Sequence, residues 1–163
     1  MAREIERKFL VVSDGWRPGA RPVGRLRQGY LTEGSPSLRV RVKDGDKAQL
    51  TIKLGQGLTR DEYEYEIPIG DGEHLLAACE GRLVDKTRHL HDAGGDRAWE
   101  IDVYHGPLDG LVTAELELTD ENEPVPDADW LGKELTGDPR WSNAELATKG
   151  APVRLPPKGK DQP

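Results

Sequence analysis

The sequence predicts an α+β fold, mainly β: eight antiparallel strands closed into a tunnel, with short helices packed outside. Three observations carry this expectation. Strand-like runs alternate ionised and apolar residues, as in Glu4-Ile5-Glu6-Arg7-Lys8 and Leu38-Arg39-Val40-Arg41-Val42, and alternation at period two gives each strand one charged and one apolar face. The charged faces are sorted by sign instead of mixing Thr, Ser, Gln, Lys and Glu as solvated faces do. Like charges two apart on one face repel unless something neutralises them. Gly- and Asp-rich turns punctuate the runs, so antiparallel neighbours are expected. An open sheet could leave the charged face in water. Closing it with charges inward and apolar faces under helices satisfies both faces at once.

The strands are expected at about residues 3–12, 24–32, 37–43, 48–54, 60–68, 83–91, 97–104 and 112–119, from their β-branched and aromatic content and bounding turns. Asp44-Gly45 and Gly94-Gly95 suit hairpins. Asp71-Gly72-Glu73 opens a helix-like run, His74 to Cys79, that ends near Gly81. A second helix is expected from Ala128 to Leu135. A third follows Asp138-Pro139-Arg140-Trp141, with Ser142 or Asn143 as its cap. Residues 1–150 form one domain in this reading. Residues 151–163, with Pro156-Pro157 and no core-forming run, are expected to be a disordered tail.

At 163 residues the chain can bury a core, but 33% charged against 35% hydrophobic residues requires a partly polar interior. A net charge of −7 argues against nucleic acid as the main partner. It leaves room for a small polyanion in a local basic pocket. One cysteine, Cys79, excludes an intramolecular disulfide framework. With no membrane-length apolar run and no signal-peptide core, a cytoplasmic protein without a membrane partner is expected. A homodimer is admissible.

Inside such a tunnel, Lys8, Arg39, Arg41, Lys53, Lys86 and Arg88 would form a basic wall suited to several phosphates. Glu4, Glu6, Asp102, Glu115 and Glu117 offer hard oxygen ligands for Mg²⁺ or Mn²⁺. An ion between carboxylates and phosphates would neutralise both and acidify a water. The pattern reads as metal-assisted phosphoryl or nucleotidyl transfer on a linear polyphosphate.

The charged motifs also carry a resemblance. Glu4-Ile5-Glu6-Arg7-Lys8 is similar to the ExExK signature of the CYTH superfamily, the triphosphate tunnel metalloenzymes. The resemblance continues in order through Gln28-Gly29-Tyr30-Leu31, Arg39-Val40-Arg41, Thr51-Ile52-Lys53, Arg60-Asp61-Glu62-Tyr63-Glu64, Lys86-Thr87-Arg88, Glu100-Ile101-Asp102 and Glu115-Leu116-Glu117. It ends at the Asp138 to Ala147 segment, over about residues 3–150.

The resemblance implies an eight-stranded tunnel holding triphosphate and two divalent metals. It implies that Glu4, Glu115 and Glu117 hold the tight metal, that Glu6 serves the second metal and the attacking water, and that Asp102 lies near both. The six basic residues named above become the triphosphate cradle, with Lys8, Arg41 and Lys53 also counted as catalytic beside Glu6 and Asp102. Glu62 and Glu64 are acidic lumen positions without an assigned role, Arg60 is a partner for them, and Glu66 and Glu100 are peripheral. The EIERKFLV start and DPRWSNAELA end most resemble bacterial inorganic triphosphatases. The alternatives are a thiamine or nucleoside triphosphatase, a non-catalytic polyphosphate-binding module, and a CYTH-type adenylate cyclase. The cyclase branch usually carries a His-Phe signature that is absent here.

Other signals have plainer readings. His89 and His91 lack a third spaced ligand, Gly55-Gln56-Gly57 is a turn without a following Gly-Lys-Ser/Thr, and Cys79 is a packed thiol. Trp16, Trp130 and Trp141 are expected as loop or helix anchors, and Trp99 as core.

Overall fold

A computed structural model describes residues 2–55 and 58–156. Its strands are β1 (Ala2–Val11), β2 (Ala20–Tyr30), β3 (Ser37–Lys43), β4 (Lys47–Leu54), β5 (Thr59–Ile67), β6 (Leu83–Asp92), β7 (Ala98–Tyr104), β8 (Val112–Glu117) and β9 (Leu131–Glu134). Helix α1 covers Ile69–Ala78 and α2 covers Asn143–Lys149. The sheet runs β5-β4-β3-β2-β6-β7-β8-β1-β9, and a further pairing of β5 with β1 closes the first eight strands into a barrel. All strand pairings are antiparallel. No helix among the described residues is long and apolar enough to cross a membrane.

The closure depends on β1. Its first half pairs with β5 on one edge, putting Glu4 opposite Arg60, and its second half pairs with β8 on the other, putting Lys8 opposite Glu115. Beyond β5, the edge of β1 is taken by β9, with Val11 opposite Leu131. The expected helix from Ala128 to Leu135 is therefore a turn leading into a strand. An open backbone edge on β1 outweighs the weak helical preference of so short a segment. The expected hairpins form: Asp44 and Gly45 both take positive φ, 52° and 71°, in the turn closing β3 onto β4. That is the backbone a twisted hairpin favours.

The outer faces are buried in separate clusters, and helices cover only part of them. Helix α1 lays Leu76, with Cys79 just after it, on Val40, Val42 and Ala48. It starts two residues before the expected opening at Asp71, and Gly72 lies inside it, directly over Ala48. Loops carrying Trp16 and Trp130 cover Phe9, Trp99, Ile101 and Leu116. Trp16 packs edge-on to His89 and Trp130 against His91, so both histidines serve packing. Ile52 stays half-buried and Tyr65 is 55% exposed, a stretch that no helix covers.

Helix α2 behaves differently. Leu146 and Trp141 pack on Val84 and Tyr104, which lie two residues from Lys86 and Asp102 and so share the inner face of β6 and β7. The helix therefore closes one end of the tunnel. Ser142 caps it, its hydroxyl accepting from the Glu145 amide. Ala151 and Leu155, from the expected tail, pack against the same cluster. Residues 157–163 of that tail, and Gln56 and Gly57 of the glycine turn, lie outside the described residues.

Candidate active site in the tunnel

Period-two alternation on seven of the eight barrel strands sends the ionised residues into one cavity of about 760 Å³. Its wall includes Glu4, Glu6 and Lys8 of β1, Arg39 and Arg41 of β3, and Lys53 of β4. It continues with Arg60, Glu62 and Glu64 of β5, Lys86 and Arg88 of β6, Glu100 of β7, and Glu115 and Glu117 of β8. The cavity is long enough in charge pattern to have a basic and an acidic side.

The acidic side is crowded. Glu6 faces Glu117 across the β1–β8 ladder. Burial pushes the Glu6 carboxyl well above its ordinary value, and Glu115 and Glu4 push it further. Glu117 is raised by burial, Glu4 and Glu62. Lys and Arg side chains partly offset the crowding. Arg60 reaches Glu6 at 2.7 Å and Glu4 at 3.3 Å, Lys53 reaches Glu4 at 3.3 Å, and Lys8 reaches Glu115 at 3.6 Å. Arg60 is thus paired with β1 more than with its own strand neighbours. Among the described residues, no three His, Cys, Asp or Glu side chains converge as a ready metal cluster.

Asp102 takes a different position. It is fully buried, bridged to Lys86 at 2.7 Å and gripped by Arg88 at 2.8 and 2.9 Å. Burial alone would raise its carboxyl, but Arg88 and Lys86 override that and hold it far below the carboxylate range. Its carboxylate is held by these two cations, which themselves line the cavity. Glu115 joins the two groups: burial would raise it, yet Lys8 and Lys86 bring it down to about 2.

Arg39 and Arg41 are treated otherwise. Among the described residues neither has a carboxylate within ion-pair distance. Arg39 is 7% exposed, donates to the Thr51 hydroxyl at 3.2 Å and has a buried Nε without a partner. Burial, Arg39 and Arg88 all push the Arg41 guanidinium down from its ordinary value. With Arg39 beside it and no carboxylate paired to either among the described residues, the strained Arg41 forms a site that an anion would relieve.

Some wall residues escaped the charge pattern. Gln28 and Tyr30 belong to β2, which carries no ionised residue on this face. Asn143 of α2 accepts from the Tyr104 hydroxyl at 2.7 Å and from Lys86 at 3.5 Å, and Lys8 donates to the Trp141 carbonyl at 2.7 Å. The Gln-Gly-Tyr motif was the available signal for the first pair. No local pattern signals that Asn143 reaches into the tunnel.

The CYTH domain family matches residues 2–150. The chain belongs to the CYTH family. It is 44% identical over 149 residues to an inorganic triphosphatase of Acetivibrio thermocellus, covering 90% of this chain and 94% of that one. It is 39% identical over 150 residues to an inorganic triphosphatase of Nitrosomonas europaea, covering 88% and 96%. A crystal structure of an inorganic triphosphatase superposes with a TM-score of 0.65 at 37% identity, over 91% of this chain and 96% of the other. The CYTH assignment and the closed eight-stranded barrel therefore agree with the resemblance read from the charged motifs.

Proposed function

We propose that this CYTH protein hydrolyses inorganic triphosphate to phosphate and diphosphate. The observation that carries the reading is the Arg39–Arg41 pair, a buried and a half-buried cation facing the cavity with only neutral partners among the described residues. Guanidiniums bind phosphate oxygens in pairs, and Lys53, Lys86 and Arg88 extend the basic surface toward the rest of a linear polyphosphate. The names of the two curated relatives support the same substrate.

Glu4, Glu6, Glu115 and Glu117 fit a divalent cation, Mg²⁺ or Mn²⁺, because they set hard carboxylate oxygens on one cavity wall, and burial and mutual repulsion already penalise the charges of Glu6 and Glu117. Such an ion supplies charge neutralisation and a more acidic water. The protein's own part is to hold the terminal phosphate on Arg39 and Arg41 and to receive a proton on Glu6. The water oxygen bonds to the terminal phosphorus, the bridging P–O bond breaks, and diphosphate leaves with the bond's electrons. With its charge already disfavoured, Glu6 is suited to accept that proton. Asp102 then acts by fixing Lys86 and Arg88. Cytoplasmic work on a small polyanion is part of the same proposal.

The test is phosphate release from inorganic triphosphate, ATP and thiamine triphosphate, with cyclic AMP measured from ATP, in Mg²⁺ and in EDTA. Fast release from inorganic triphosphate that stops in EDTA is expected. Undiminished turnover in EDTA refutes the metal assignment, and cyclic AMP as the main product refutes hydrolysis.

A further inference from the structure

The Gln28-Gly29-Tyr30 motif has no part in the chemistry above, yet it is built against the cradle. Alternation sends Gln28 and Tyr30 inward and Gly29 outward. Gly29 leaves room for the end of α1, since a Cβ there would lie 2.6 Å from the Cys79 Cβ and 2.9 Å from its Sγ. The ladder sets Gln28 opposite Arg41 and Tyr30 opposite Arg39.

Gln28 is completely buried. Its Oε1 accepts from Arg41 Nε at 2.9 Å, and its Nε2 donates to the Tyr30 hydroxyl at 2.7 Å. The amide orientation is forced, because a guanidinium N–H can only donate. The Tyr30 oxygen accepts that bond, which frees its own O–H to donate. Tyr30 lines the cavity, and burial raises its hydroxyl above the ordinary value, so it stays a neutral donor.

We propose that Gln28 is the positioning residue of the phosphate cradle. Anchored at Nε, the Arg41 guanidinium presents its two terminal nitrogens to the cavity, and the same amide sets the Tyr30 hydroxyl beside Arg39. A glutamate would anchor Arg41 more strongly but cancel one positive charge of the cradle. The neutral amide fixes the geometry and leaves the charge for the anion. This inference rests on the triphosphate reading of the site.

The test uses the full chain, inorganic triphosphate, saturating Mg²⁺ and thermal unfolding without substrate, for wild type, Gln28→Leu, Gln28→Glu and Arg41→Ala. Gln28→Leu should raise KM about tenfold, the worth of a hydrogen bond to a charged group, with kcat within about threefold. Gln28→Glu should fold at least as stably as wild type, because its carboxylate pairs with Arg41. Its KM should nevertheless rise beyond that of Gln28→Leu, toward that of Arg41→Ala. A purely structural glutamine would instead give a lower melting temperature in Gln28→Leu with wild-type KM, and that overturns the proposal. If Gln28→Leu does not fold, Gln28→Glu decides alone: wild-type KM there overturns it. Wild-type KM in Arg41→Ala would overturn the cradle and this inference together.

Discussion

Arg41 and Arg88 lie on the two strands flanking β2 and face the same tunnel, yet they are held in opposite ways. Arg88 is bidentate to Asp102 and also bonds Glu100 at 2.7 Å. Burial works against its charge, but these carboxylates raise it well above its ordinary value. Arg41 is anchored by an uncharged amide and pushed down. A cation whose charge is matched inside the protein also braces the framework, and offers a ligand less of its field. One held only by neutral groups keeps its field for a ligand. The acidic side divides likewise, with Glu115 held down by Lys8 and Lys86 while Glu6 is pushed up.

The largest effect should come from the strained member of the acidic pair. Glu6→Gln should cut the catalytic rate by roughly two to four orders of magnitude, as for loss of a general base. Triphosphate affinity should persist, and the melting temperature at pH 7 should rise as a crowded cluster sheds a charge. A change confined to KM at saturating metal would make Glu6 a ground-state ligand instead.

A smaller effect separates the two arginines. Arg88→Ala leaves Asp102 buried with Lys86 alone, and breaking a buried pair on one side costs about 3 kcal/mol. Arg41→Ala removes a strained cation and should cost far less stability while weakening triphosphate binding. Denaturant titration of both variants measures the difference. Equal losses would erase the distinction between framework and ligand cations.

How much of this was legible depended on the range of the interaction. Strand alternation is local, so Glu4, Glu6, Arg39, Arg41 and Glu115 could be sent into one lumen by counting in twos. Pairing is not local. Sequence proximity pairs Arg60 with Glu62 and Glu64, but the closing β1–β5 ladder, joining residues 56 apart, turns it to Glu4 and Glu6. Segment 128–135 became an edge strand because β1 offered it an edge, which nothing within the segment encodes. Gln28 carries no charge, so the charge pattern gives it no role even though its motif is legible in the sequence. The outer faces were expected under helices, but Trp16 and Trp130 cover one of them from loops.

The smallest effect tests the acidic pair by pH. Glu115 sits at about 2 in the folded chain against an ordinary 4.5, so above 4.5 both states are ionised and its stabilisation is complete. As pH falls from about 4.5 to about 2, the unfolded chain takes up the proton first and that stabilisation is lost, on the order of 3 kcal/mol. Glu6 runs the other way. With its carboxyl raised, the folded chain keeps a proton that the unfolded chain has released, so stability falls as pH rises from 4.5 through the raised value. Urea midpoints from pH 2.5 to 7 should therefore show a shallower acid limb in Glu115→Gln, and in Glu6→Gln a shallower decline above pH 4.5. Asp102, also held down, keeps part of the acid limb in both variants. An acid limb in Glu115→Gln parallel to that of wild type would mean that Lys8 and Lys86 do not hold this carboxylate, and the division of the acidic side would fail.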